Sequence, residues 1–202
     1  MIVIDTVNEQ MYELILNMIL NRDLKPGERI NLKEIARKNN VSLMPIRNAL
    51  QRLTAQGLVE TRQRVGVFVK HYSDPELRQI GELRKLYELY CLQEYVDNIN
   101  KSELMELYQQ IDGMDPKERA MLLLDERLHS VIVESSKNQF LIRQYLEMQN
   151  LFRIHMYSEN DNASTSKREH LALISAIYKG NYRSAYIILE QHLNRTIEMY
   201  EE

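Results

Sequence analysis

Apolar residues alternate with a period of two in one short part of this 202-residue chain; elsewhere they recur at three and four. Val65, Val67 and Val69 alternate, and with the preceding run Leu58–Arg62 they predict a hairpin over residues 58–70, its tip near Gln63-Arg64. Ahead of it, Val7, Met11, Leu14, Ile15, Met18 and Ile19 mark an amphipathic helix over residues 7–20, broken by Leu24-Lys-Pro-Gly. A second helix is expected from Leu32 to Asn39. A third follows Ser42, a suitable N-cap, and tolerates Pro45 in its first turn. Gly57 supplies a left-handed stop. Beyond Ser73-Asp74-Pro75 no strand pattern remains, and helices are expected at about 75–99, 101–112, 116–136, 138–158, 166–178 and 182–200. Asp115-Pro-Lys-Glu118 and Ser166-Lys-Arg-Glu169 read as capping boxes, and Gly180-Asn181 separates the last two helices. Asp161–Thr165 is the most loop-like stretch.

The charge is divided along the same line. Residues 1–72 carry 11 Lys+Arg against 7 Asp+Glu, a net of +4, and the remainder carries 15 against 22, a net of −7. A basic head on an acidic body suits a DNA-binding domain joined to a regulatory one, although so small an excess also arises by chance. The single cysteine, Cys91, excludes an internal disulfide framework and fits a reducing compartment; beside Tyr87, Leu89, Tyr90 and Leu92 it reads as a core thiol. The start, Met-Ile-Val-Ile-Asp, has neither a basic flank nor a long apolar run, and nothing approaches the roughly 20 apolar residues that span a bilayer. A cytoplasmic protein without membrane contact is expected.

Helix, turn, helix and hairpin is winged-helix order. The third helix buries Ile46, Ala49, Leu50 and Leu53 and turns Leu43, Arg47, Asn48 and Gln51 toward a major groove. Arg47 can fork onto guanine or pair with phosphate, and Asn48 or Gln51 can read adenine. Lys33, Arg62 and Arg64 suit phosphate or minor-groove contacts. Any one of these side chains, taken alone, is as readily a solvated surface group.

Leu24-Lys-Pro-Gly-Glu-Arg-Ile, Val41-Ser-x-x-Pro-Ile-Arg-x-Ala-Leu-x-x-Leu, Gly57-Leu-Val-Glu and Gly66-Val-Phe-Val together resemble the GntR family of bacterial transcription regulators. The resemblance implies binding as a homodimer to a palindromic operator on double-stranded DNA, with contacts falling at Lys33, Leu43, Arg47 and the wing around Gly66. The chain departs from the family's pattern where Leu43 replaces an arginine after Ser42, and where its wing lacks a glycine before Val65. The loss of a base-reading arginine implies an altered or relaxed operator preference.

Asp125 and His129 stand four apart and share one helix face, while His170 and His192 sit on two further helices. Facing helices of a bundle build interior metal sites in this way, and three imidazoles with one carboxylate suit zinc, nickel, manganese or iron. Spacing alone leaves ordinary core or surface histidines equally open. Glu82-Leu-Arg-x-Leu-Tyr-Glu, Asp125-x-x-x-His129, Ser136-Lys-Asn138 with Leu141, Glu169-His170-x-x-Leu-Ile-x-Ala-Ile and Ala185…His192 are similar to the FCD domain of the FadR-like GntR branch. That similarity implies an all-helical bundle holding a divalent metal, zinc first, on Asp125, His129, His170 and His192, with a small carboxylate effector beside it. His71 is left as a surface residue, and His155 faces the pocket or packs. Arg84 has two readings: a buried partner for the effector carboxylate, or an i,i+4 salt bridge to Glu88 on a wet face. Tyr87, Tyr90, Tyr145 and Tyr157 could supply pocket hydroxyls, though core packing suits them as well.

The expected fold is therefore mostly α: a winged helix-turn-helix over residues 1–72 and an antiparallel FCD-like helical bundle over 73–202. The expected function is a DNA-binding transcription regulator, acting as a repressor, whose operator binding responds to a small carboxylate in a metal-containing pocket. The alternatives are a metal-sensing regulator, a metal used only structurally, and a metal-dependent hydrolase. The last lacks a placed general base: Glu126 and Glu169 adjoin ligands in sequence and so point about 100° away on a helix. No catalytic residues are expected.

Overall fold

The computed structural model describes residues 6–118, 120–153 and 163–200. The chain divides between Ser73 and Asp74 into two compact units. In the first, helices α1 (Val7–Leu20), α2 (Leu32–Lys38) and α3 (Leu43–Ala55) are followed by antiparallel strands β1 (Val59–Arg62) and β2 (Gly66–Val69). The Thr6 hydroxyl and the Asn31 carboxamide accept first-turn N–H groups of α1 and α2. Ser42 occupies the N-cap position of α3 with an extended backbone, but its hydroxyl makes no cap bond. Ile46, Ala49, Leu50 and Leu53 are buried and pack with Ile15 and Ile19 of α1, so one face of α3 is committed to the core.

Gly57, at φ +78°, ends α3; its N–H bonds the Thr54 carbonyl and the Leu58 N–H bonds that of Leu53, a Schellman arrangement. The hairpin pairs Val59 with Val69 and Arg62 with Gly66. Its loop is three residues long, with Arg64, the middle residue, left-handed at φ 61°. One feature is absent from the alternation pattern. The segment after Pro26 runs along β2, with the Ile30 N–H on the Val67 carbonyl and the Val69 N–H on that of Glu28.

The second unit contains α4 (Asp74–Tyr95), a 3₁₀ turn at Val96–Asn98, α5 (Lys101–Gly113), α6 (Ala120–Glu134), α7 (Gln139–Arg153), α8 (Ala163–Tyr178) and α9 (Tyr182–Glu198). Helix α9 packs between α4 and α8, while α5 lies on α6 and α8. Two helix starts differ from the sequence expectation. Asp115 and Glu118 do form reciprocal side-chain bonds to the Lys117 and Asp115 N–H groups, but they close a turn and α6 begins only at Ala120. Ser166 caps nothing: α8 already runs from Ala163, and the hydroxyl accepts from Arg195. Residues 163–165 are thus helical rather than loop. Gly180, at φ +74°, ends α8 and Asn181 caps α9. His155 and Tyr157 lie outside the described residues.

A candidate metal centre and a DNA-binding face

Asp125 and His129 project from one face of α6, His170 from α8 and His192 from α9, and their four ligand atoms all lie within 4.8 Å of one another. His129 is 0%, His170 2% and His192 4% exposed, so ordinary solvation does not explain the cluster. The Nε2 atoms of His129 and His192 each stand 3.4 Å from that of His170, long for a hydrogen bond. Tetrahedral ligands with bonds of about 2.0–2.1 Å stand about 3.4 Å apart, so the spacing fits an ion better than a hydrogen-bonded cluster. Asp125 Oδ1 lies 3.1 Å from His170 Nε2 and 3.8 Å from His129 Nε2. Burial pushes the His170 and His192 imidazoles below the usual histidine range, into the neutral form that ligates metals. Burial pushes the Asp125 carboxyl up, but His170, His129 and Arg84 outweigh it and hold that carboxyl down.

The outer nitrogens differ. His129 Nδ1 lies 2.5 Å from Glu88 Oε2, and His192 Nδ1 lies 2.7 Å from Glu169 Oε2. His170 Nδ1 is buried without a hydrogen-bond partner among the described residues. Glu88 is wholly buried; its Oε1 accepts from Arg84 Nε and from the Tyr145 hydroxyl, each at 2.7 Å. Burial would raise this carboxyl, yet His129 and Arg84 hold it well below the usual range. Glu169 is gripped by Arg195 through both oxygens. Burial raises its carboxyl less than its bonds to His192 and Arg195 lower it, and it falls to about 2. Glu169 does turn away from His170, as its place beside it on a helix requires, and that turn brings it to His192 on the neighbouring helix. Neither carboxylate was distinguishable by spacing.

Arg84 pairs with Glu88 as the i,i+4 reading expects, but the face is dry: the side chain is 3% exposed. Its Nη2 has no hydrogen-bond partner among the described residues, with Asp125 Oδ2 3.9 Å away. Tyr145 is fully buried, Tyr87 stands edge-on to it, and Tyr90 is 50% exposed, so Tyr90 belongs to neither the core nor the site.

In the first unit, Lys33, Arg47, Gln51 and Arg64 are exposed, while Leu43 and Asn48 are half-buried. Asn48 Nδ2 approaches Asn8 Oδ1 at 3.4 Å. Arg62 is engaged within the wing, 2.6 Å from Glu60 and stacked 4.3 Å over Phe68. Gly66, at φ +148°, lies under the Arg29 guanidinium; a Cβ there would meet Arg29 Nε at 2.8 Å.

A winged helix-turn-helix followed by a helical bundle defines a DNA-binding protein with an attached second domain. The family described as bacterial regulatory proteins, gntR family, matches residues 7–69, and the FCD domain matches residues 79–195. The chain belongs to the GntR family of DNA-binding transcription regulators, with a C-terminal FCD domain. It is 26% identical over 198 residues to the HTH-type transcriptional regulator YdhC of Bacillus subtilis (strain 168), covering 94% of this chain and 88% of the relative. A GntR regulator from Rhodococcus sp. RHA1 shares the fold at TM-score 0.83 and 18% identity, over 96% of both chains. The Zn2+-bound FCD domain of TM0439 is 29% identical at TM-score 0.57, covering 64% of this chain and 94% of that one. The families and relatives are regulators rather than enzymes. No helix among the described residues is long and apolar enough to cross a membrane.

Proposed function

We propose that this regulator, acting in the cytoplasm as a homodimer on a palindromic operator, is a repressor whose DNA affinity responds to a small carboxylate held beside a divalent metal. The observation that carries the reading is the convergence of three buried imidazoles and Asp125 at ligand spacing. The zinc-bound FCD relative supports zinc as the first candidate. Asp125, His129, His170 and His192 would hold the ion, which when bound supplies a Lewis-acidic anchor for a carboxylate oxygen. Arg84 Nη2, buried and unpaired, is the protein's own donor for that carboxylate. On the DNA side, Arg47 and Asn48 would read base edges, Leu43 would meet them through apolar contact, and Lys33, Arg64 and the Gly66 wing would hold the backbone.

The test is metal content and thermal unfolding of the purified protein and of a His170→Ala/His192→Ala variant, with and without a panel of small carboxylates. Stoichiometric zinc that the variant loses, together with stabilisation by one acid, is the expected result. Zinc without any response to acids would leave a structural or metal-sensing centre. No metal after reconstitution would remove the site. Operator binding before and after acid addition then distinguishes release from recruitment.

A further inference from the structure

We infer that Glu88 and Glu169 are the positioning residues of the proposed metal centre: each locks one imidazole with its proton outward and its Nε2 lone pair inward, while His170 is left unbraced. The inference rests on the metal reading above and deepens it. A neutral imidazole has two tautomers, and only the form protonated on Nδ1 offers Nε2 to an ion. An ionised carboxylate can only accept, so a carboxylate at Nδ1 selects that form before any ion arrives. Glu88 does so for His129 at 2.5 Å, and Glu169 for His192 at 2.7 Å.

Each carboxylate is itself pinned. Glu88 Oε1 is taken by Arg84 and Tyr145, which leaves Oε2 for His129. Glu169 takes Arg195 on both oxygens and gives the remaining capacity of Oε2 to His192. Arg84 and Glu88 are one turn apart on α4, and His192 and Arg195 one turn apart on α9. The Glu88 brace therefore ties α4 to α6 and α7 through one carboxylate, and the Glu169 brace ties α8 to α9. Among the described residues nothing equivalent reaches His170 Nδ1, and its Nε2 stands 3.1 Å from Asp125 Oδ1, where it can donate its own proton.

This arrangement makes a sharp prediction for an isosteric change. In Glu88→Gln the amide oxygen is claimed by Arg84, which can only donate, and can still accept from Tyr145, so the amide NH2 faces His129 Nδ1. The ring must then accept at Nδ1 and carry its proton on Nε2, pointing into the site. Glu169→Leu tests the second brace by removing the acceptor from His192 Nδ1, because a glutamine could keep its amide oxygen at the ε2 position and preserve that bond; this carboxylate is partly exposed, and its replacement leaves the buried Arg84 pair untouched.

The experiment records histidine ring 15N shifts of the metal-free full chain at neutral pH, and zinc affinity by competition with a chromophoric chelator. Wild type, Glu88→Gln and Glu169→Leu are compared after circular dichroism confirms folding. Expected are Nδ1–H forms of His129 and His192 in wild type, inversion of His129 in Glu88→Gln, loss of the fixed Nδ1–H form of His192 in Glu169→Leu, and about ten- to 100-fold weaker zinc binding in both. Nε2–H forms in wild type, or variants with unchanged tautomers and unchanged zinc affinity, overturn the inference. Because tautomers are read without an ion, a wild type that fails to bind zinc refutes the metal reading while the bracing is still decided. If Glu88→Gln does not fold, Glu169→Leu decides the question.

Discussion

Burying Arg84 against Glu88 makes each charge depend on the other, since neither can reach bulk water. Arg84→Met would leave the Glu88 carboxylate in a dry interior with one cationic partner fewer. Breaking such a pair costs about 3–5 kcal/mol, whereas replacing both members by apolar groups is far milder. Urea unfolding should therefore show a large loss for Arg84→Met and partial recovery in Arg84→Met/Glu88→Leu; equal losses would place the cost elsewhere. Cys91 offers a second test at this scale. Burial pushes its thiol from 9.0 up to about 11, against a smaller lowering by Ser136. The folded value is the higher one, so the associated stability is complete below pH 9.0 and is lost as pH rises from there toward 11. A thiol reagent at neutral pH should label Cys91 only at the rate of unfolding, rising with urea, and rapid labelling of the native protein would contradict the burial.

Among the elements, α4 and α9 approach so closely that a Cβ on Gly81 would stand 2.9 Å from Ile197 Cγ1. Alanine at a helical glycine gains up to about 1 kcal/mol of propensity, but overpacking costs about 1–3 kcal/mol. The clash should win, because Cγ1 is not the free end of a flexible chain. Gly81→Ala should lower the melting temperature, and its cost should shrink in an Ile197→Ala background; additive losses would show the helices are not in contact there. This close approach had no sequence signature, since Gly81 lies within an ordinary helical pattern and Ile197 is over a hundred residues away. Helix existence was legible from period, as were most helix starts, but those of α6 and α8 were not. Asp115 and Glu118 make the same bonds in a turn as in a cap, and Glu169, placed to close a box with Ser166, is drawn instead to His192 and Arg195. Likewise Asp125, His129, His170 and His192 stood out because histidine is rare and i,i+4 spacing is directional. Glu88 and Glu169 did not, being two among 29 acidic residues, each with its imidazole partner on another helix.

For the whole molecule, two kinds of binding should leave separate marks. A ligand at 100 times its Kd stabilises the folded form by about 2.7 kcal/mol. Zinc at that excess should raise the melting temperature of the transition containing the bundle by roughly 5–10 °C, at about 2–4 °C per kcal/mol. Calorimetry of the zinc-loaded and zinc-stripped protein checks this, and an unchanged transition would contradict the proposed centre. DNA affinity should instead follow salt. Arg47→Ala should weaken binding and lower the slope of log affinity against log salt by about 1 if Arg47 neutralises a phosphate. It should relax preference at one base pair, with little change in slope, if Arg47 reads guanine instead.

The uneven treatment of the three imidazoles also bears on time. Two imidazoles of the proposed centre are held by carboxylates that are themselves clamped, and the third, His170, has no partner at its Nδ1 among the described residues. A centre braced this unevenly would come apart first at its unbraced ligand. Exchange of the ion would begin at His170 and be hastened by anything that competes for that one position. The response time of the regulator would then be tunable by an acceptor placed near His170, without any change in the residues that define what it binds.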